Sequence, residues 1–229
     1  MCEHGSRTRR SAIRVAWRCP PPRSIRCPNT MTSYDFRRDL PIFEIYSGAN
    51  GARLEIHPWF FVDGRQYLGI TRILPPGTGK GPAHVHPGIT QHSFLLSGRA
   101  ARYRRGIRSG TLPLGDELII PPGAPHVDPY NDSDEPIVLR TLYSPGPVWM
   151  LSFGKTLGHA IRDGNTNSQQ ELRLLHLLMM LGTPGSVTFA AGLPLAAQRR
   201  VLLPLAMRLA RRRGYAPAPG LRAHIFEAG

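Results

Sequence analysis

The sequence predicts a mainly β chain, a sandwich or barrel of short strands followed by a short helical segment. Three observations carry this. The 24 glycines and 23 prolines among 229 residues are too many breakers for a helix-only architecture. Between residues 40 and 150, short β-prone runs alternate with turn residues at close intervals. After Asn165 the apolar spacing changes to that of helices.

Six strands are predicted: Ala52–Glu55, Tyr67–Leu74, Gln91–Leu96, Ala100–Arg105, Leu118–Ile120 and Ile137–Tyr143. Pro75-Pro76-Gly77, Ser97-Gly98, Pro121-Pro122-Gly123 and the stretch from Asn131 to Pro136 punctuate them. No long helical period is visible before residue 165, so that region reads as all-β. Beyond it, Ser168–Leu181 has Leu172, Leu175, Leu178 and Met179 on one helical face, with Asn167 or Ser168 as N-cap and Gly182 as stop. A second helix is predicted over Leu195–Arg213, with Val201, Leu202, Leu205 and Leu209 on one side, arginines elsewhere and a kink at Pro204. Its apolar stripe is expected to pack on its own domain or a twin subunit; contact with an anionic membrane surface is the alternative.

The net charge of +14 invites a nucleic-acid reading, but its distribution argues otherwise. Residues 1–30 carry +6 and residues 165–229 carry +6, leaving +2 for the middle. Charge held at the ends describes tails, not a nucleic-acid-reading core. Cys2, Cys19 and Cys27 all fall in the first thirty residues, without a CxxC pair. That segment lacks a signal-peptide core, and Met31 reads as a second possible start. Residues 1–30 are therefore expected to be a basic disordered extension or a misassigned beginning, residues 31–164 the β domain, and residues 165–229 a basic helical extension. No run of 18 apolar residues exists to span a membrane.

The histidines carry the chemistry. Pro82-Ala83-His84-Val85-His86-Pro87 places two imidazoles two residues apart, on one face of an extended chain. Forty residues on, a Gly/Pro turn delivers His126. A lone histidine is usually a satisfied core or surface residue, the reading given to His4, His57, His159, His176 and His224. Two on one face plus a third from a neighbouring strand suit a metal.

These residues resemble the two motifs of the cupin superfamily. In the first, Gly79 is a loose opener, then His84, His86, a four-residue gap, Gln91, a six-residue gap and Gly98 follow on spacing. In the second, Gly115, Pro121, Gly123 and His126 are on spacing, and Asn131 comes one position late. The resemblance covers roughly residues 40–150 and implies a single cupin-type antiparallel barrel, a jelly roll, with the motif residues converging in its mouth. It implies a divalent transition metal (Fe, Mn, Ni, Zn or Cu) on His84, His86, Gln91 and His126.

Gln91 departs from the family's glutamate. A neutral amide oxygen leaves the full ionic charge on the site, disfavouring hard, carboxylate-loving ions. Asp128, two after His126, is the candidate for restoring charge, as an alternative ligand or as a partner orienting an imidazole; His92 should face away. Tyr67, Phe94, Tyr103 and Tyr130 are candidate pocket-lining residues, though aromatics at this spacing also make plain barrel core. Arg102 and Arg104 are expected outside, with Tyr103 inward.

What the resemblance implies is a metal-dependent enzyme acting on a small oxygenated molecule, dioxygenase- or isomerase-like. A non-catalytic small-molecule binder and a structural dimer with a vestigial site are the other readings. The chain is expected to be a cytoplasmic homodimer with a small-molecule ligand. It has no helix-turn-helix pattern before the barrel, no GxSxG elbow and no phosphate loop, and Gly77-Thr78-Gly79-Lys80-Gly81 lacks dinucleotide spacing.

Overall fold

The computed structural model describes residues 35–37 and 40–215; the expectations for residues 1–30, His4 and His224 lie outside them. Two antiparallel sheets form the jelly roll. One has six strands in the order β1 (Glu44–Ser47), β2 (Arg53–Val62), β3 (Arg65–Leu74), β10 (Ile137–Ser144), β5 (Thr90–Ser97) and β8 (Glu117–Ile120). The other has five: β11 (Phe189–Ala190), β4 (His84–Val85), β9 (His126–Tyr130), β6 (Ala100–Arg105) and β7 (Arg108–Pro113). All six predicted strands are present. Gly98 begins the β5–β6 turn at φ +100°, where Ile137 also occupies the space of a side chain.

Strand alternation sorts the six-stranded sheet into two faces. Gln91, Tyr143 and Leu68 lie in register on the inner face. Phe94, Arg140 and Thr71 lie in register on the outer one. Leu74, Leu95, Leu118, Ile120, Ile137 and Leu139 of the inner face share a core with Ala101 and Leu112 of the opposite sheet, which closes one end of the barrel.

The other end is closed by helices. Contrary to the expectation of no helix before residue 165, Val148–Arg162 forms a 15-residue helix, α1, across β1 and β2. Its glycines hid it. Gly in a helix interior costs about 1 kcal/mol relative to Ala, but here the missing side chains let the helix lie close. The ring of Tyr46 occupies the space beside Gly158, and Ile70 Cδ1 would lie 3.0 Å from a Cβ on Gly154. Tertiary packing outweighs propensity. Trp149, Met150, Leu157 and Ile161 join Leu54, Ile56 and Leu68 in the largest core cluster.

Helix α2 spans Leu174–Leu181, starting six residues later than predicted. Asn167 does cap, but it caps a turn: its Oδ1 accepts from the backbone N–H groups of Gln169 (2.9 Å) and Glu171 (3.1 Å). Gly182 ends α2 without needing a left-handed backbone; its missing side chain makes room for Met207. Trp149 Nε1 donates to Thr183 Oγ1 at 2.9 Å, tying α1 to the end of α2. The last helix runs as α3 (Leu195–Ala197), a π-helical turn (Gln198–Leu202) and α4 (Leu203–Arg212). Pro204 cannot donate a backbone hydrogen bond, and the wide turn just before it absorbs the break. The stripe Val201, Leu202, Leu205 and Leu209 is exposed rather than packed on its own domain, where Leu203 and Ala210 face inward instead. Among the described residues no helix is long and apolar enough to cross a membrane.

Candidate metal centre

His84 and His126 are direct partners across the β4–β9 pair, and His86 follows just beyond the end of β4. Their ring centroids lie 4.3 Å apart for His84–His126, 4.9 Å for His84–His86 and 5.3 Å for His86–His126. One nitrogen from each ring falls within 4.8 Å of the others. The three-residue convergence expected from spacing is present.

What the other nitrogens do decides which atoms converge. His84 Nδ1 donates to the carbonyl of Pro82 at 3.0 Å, and His126 Nδ1 to that of Ala124 at 2.9 Å. Both acceptors sit two residues upstream, in the Pro/Ala segments that deliver each histidine. His86 Nδ1 lies 2.9 Å from Thr188 Oγ1, whose own proton has Met150 Sδ at 4.0 Å. A ring that gives its Nδ1 proton away keeps a lone pair on Nε2. His86 Nε2 and His126 Nε2 are buried with no hydrogen-bond partner, and so is Gln91 Oε1. Buried acceptors are rarely left so. Converging imidazole lone pairs are donors that suit a borderline transition ion.

Asp128 shares the inward face with His126, as the alternation in β9 predicts. Its Oδ1 accepts from Gln91 Nε2 at 2.6 Å and lies 3.5 Å from His126 Nε2, while Oδ2 lies 3.7 Å from His84 Nε2. This settles the direction of the Gln91 amide, since its oxygen turned toward a carboxylate would be repelled. Burial opposes charge on Asp128, but His84, His126 and the Gln91 amide more than offset it and hold its pKa well below the usual carboxylate range. Burial lowers the pKa of His84, and drives that of His86 down to about 3 with the help of His84 beside it. His126 is also penalised by burial, yet Asp128 raises its pKa above the ordinary imidazole value. Burial keeps the rings of His84 and His86 neutral, while Asp128 favours a proton on His126 that a metal ion would displace.

The site opens into a cavity of about 190 Å³ lined by His84, His86, Asp128 and Tyr143, with apolar walls from α1 and α2. Arg72 and Glu171 form an ion pair at its edge, at 2.8 Å. Burial raises the pKa of Glu171, and Arg72 pulls it back only in part. Burial also raises that of Tyr143, so its hydroxyl keeps its proton.

The four aromatic candidates lie elsewhere. Tyr67 and Phe94 sit on the outer face of the six-stranded sheet with Leu40 and Leu142, because their strand parity opposes that of Leu68 and Gln91. Tyr103 packs inward on the core at the closed end of the barrel, and Tyr130 lies beneath Lys80 Nζ, 5.3 Å from the ring centroid. Arg102 and Arg104 are exposed, and His92 turns outward to Glu117 Oε1 at 2.6 Å. Asn131 serves the fold: its Nδ2 donates to the carbonyls of Leu74, Pro75 and Glu135. Missed from the sequence were Arg72, Tyr143, Glu171 and Thr188. Arg72 was findable, since alternation puts it on the face of Leu68, Ile70 and Leu74. Thr188 and Glu171 come from loops that only tertiary structure brings to the barrel mouth.

Residues 71–143 match the family described as Cupin domain. The chain belongs to the cupin superfamily. The match ends before α1, so the helical cap of this cupin lies outside it. Among solved structures, TT1209 from Thermus thermophilus is 30% identical, covering 38% of this chain and 79% of that one, with a TM-score of 0.33. An uncharacterized conserved protein with a double-stranded beta-helix domain from Klebsiella pneumoniae is 22% identical (44% and 84% covered, TM-score 0.36). KdgF from Halomonas sp. is 16% identical (47% and 91% covered, TM-score 0.38). No match was found among curated proteins.

Proposed function

We propose that this cupin binds a divalent transition metal (Fe, Mn, Ni, Zn or Cu) and acts on a small oxygenated molecule in the adjoining cavity, in a dioxygenase- or isomerase-like reaction. One observation carries the reading: His84, His86 and His126 each commit Nδ1 to a hydrogen bond, and two of the three Nε2 atoms are buried without a partner. His84, His86 and His126 would hold the ion through Nε2, with Gln91 Oε1 as a neutral fourth donor. Such an ion supplies Lewis acidity or a partner for O₂. Asp128 provides the counter-charge that Gln91 lacks, and holds the Gln91 amide in one orientation. Pro82, Ala124 and Thr188 fix the ring orientations. Tyr143, protonated and facing the cavity, offers a hydrogen-bond donor to a substrate oxygen.

A second reading, binding without turnover, is favoured by the same Asp128. Its contacts to Gln91, His84 and His126 balance the site's charge without an ion. Elemental analysis of the purified chain separates the two. Near-stoichiometric metal, lost in the His84→Ala/His86→Ala variant, supports the first; metal-free protein that still takes a ligand in the cavity supports the second.

A further inference from the structure

The cavity beside the histidines has two unlike ends. His84, His86 and Asp128 face it from the five-stranded sheet. The opposite walls are hydrocarbon: Phe153 and Leu157 from α1, and Leu177, Leu178 and Leu181 from α2. The other charged groups lining it, Arg72 and Glu171, are bound to each other at 2.8 Å, and Arg72 also donates to the Gln170 carbonyl at 3.3 Å. The two charges neutralise each other, and a single donor, Arg72 Nε, stays buried without a partner. A sugar or a polyanion placed here would set its hydroxyls or charges against leucine side chains and lose water contacts without replacement.

Size narrows the class further. A dry cavity of roughly 150 Å³ is enough for benzene, and this one measures about 190 Å³. We propose that the molecule taken here is a small amphiphile: a hydrocarbon body of about six to eight carbons between α1, α2 and the six-stranded sheet, and one oxygen-bearing end directed at His84 and His86. This rests on the proposed use of the cavity and names its substrate class. The helical cap then acts as the specificity element, because its side chains supply the apolar walls while the barrel supplies the polar end.

The probes are straight-chain 1-alkanols from ethanol to decanol, titrated calorimetrically into the full-length chain, with metal content measured on the same sample. Burying one methylene is worth about a fourfold gain in affinity. Affinity should rise by that factor per carbon, peak between hexanol and octanol, and fall by decanol. A flat series, or one still rising at decanol, would overturn the proposal. Leu178→Trp, which fills the apolar end, should weaken hexanol at least tenfold with metal content unchanged. Phe153→Ala, which enlarges that end, should move the optimum one or two carbons longer. An unchanged series in both folded variants would place the alkanols elsewhere and sink the idea. A peaked series in protein that never holds metal would instead sink the metal reading and leave this one standing. Retained metal with a flat series would do the reverse.

Discussion

His57 on the outer face of the six-stranded sheet and His86 at the barrel mouth are equally hidden, at 1% and 3% exposure. They differ in what surrounds them. His57 Nδ1 donates to the Pro41 carbonyl at 2.9 Å, and its Nε2 takes the hydroxyl of Thr71 at 2.7 Å. Thr71 in turn accepts from Arg140 Nε at 3.1 Å. Every polar atom of that ring is used. His86 uses Nδ1 alone and leaves Nε2 facing nothing it can bond. A buried histidine with both nitrogens satisfied holds the fold together; one with a single open lone pair, beside others like it, points to a missing ligand. Burial does not tell the two apart. Hydrogen-bond satisfaction does.

The comparison breaks most visibly in metal content. The His84→Ala/His86→Ala variant should retain less than about a tenth of the wild-type metal, since three imidazoles become one. His57→Gln should retain all of it; elemental analysis after dialysis decides, and equal losses in both would erase the distinction. The next largest effect is on stability. His57→Leu strands Thr71 and the Pro41 carbonyl and should cost about 2 kcal/mol, whereas His86→Leu in metal-free protein strands Thr188 alone, removes an unpaired acceptor and should cost less than about 1 kcal/mol. Denaturant unfolding of the two stripped variants measures the gap.

Gln91→Glu sharpens the contrast within the site. A carboxylate there would face Asp128, 2.6 Å from the present amide nitrogen, so the metal-free protein should lose about 1 kcal/mol. With a divalent ion the added charge becomes an asset, and affinity by chelator competition should rise about tenfold. Stability and affinity moving together would count against Asp128 as the counter-charge. The smallest effect is in pH. Burial lowers the pKa of His57, partly offset by its bond to Pro41 and reinforced by Arg140. Between that lowered folded value and the ordinary 6.5, the unfolded chain binds more protons than the folded one. The contribution is complete above pH 6.5 and is lost as pH falls toward the lower folded value. Unfolding midpoints from pH 7.5 to 5.5 should drop less for His57→Gln than for the parent; identical slopes would remove His57 from the account.

Much of the barrel was legible because turn residues and β-branched runs act locally. Ala100–Arg105 is a strand as read, and Ile137–Tyr143 is extended by one residue. The triad was legible for the same reason: two residues of extended chain put His84 and His86 on one side, and a Pro/Gly turn aims His126. Parity could also have placed Tyr67 and Phe94, had the inward face been known. Spacing within a strand says which residues share a face, not which face is inside.

By itself, then, the chain determined six of the eleven described strands, the three convergent histidines and the unusual Gln91, all set by neighbours within a few residues. Only tertiary structure decided that Gly154 and Gly158 belong to a helix, that Thr188 holds His86, and that Asp128 rather than water meets the Gln91 amide. Each of those depends on contacts between distant segments, whose energies exceed local propensity and leave no pattern in consecutive residues.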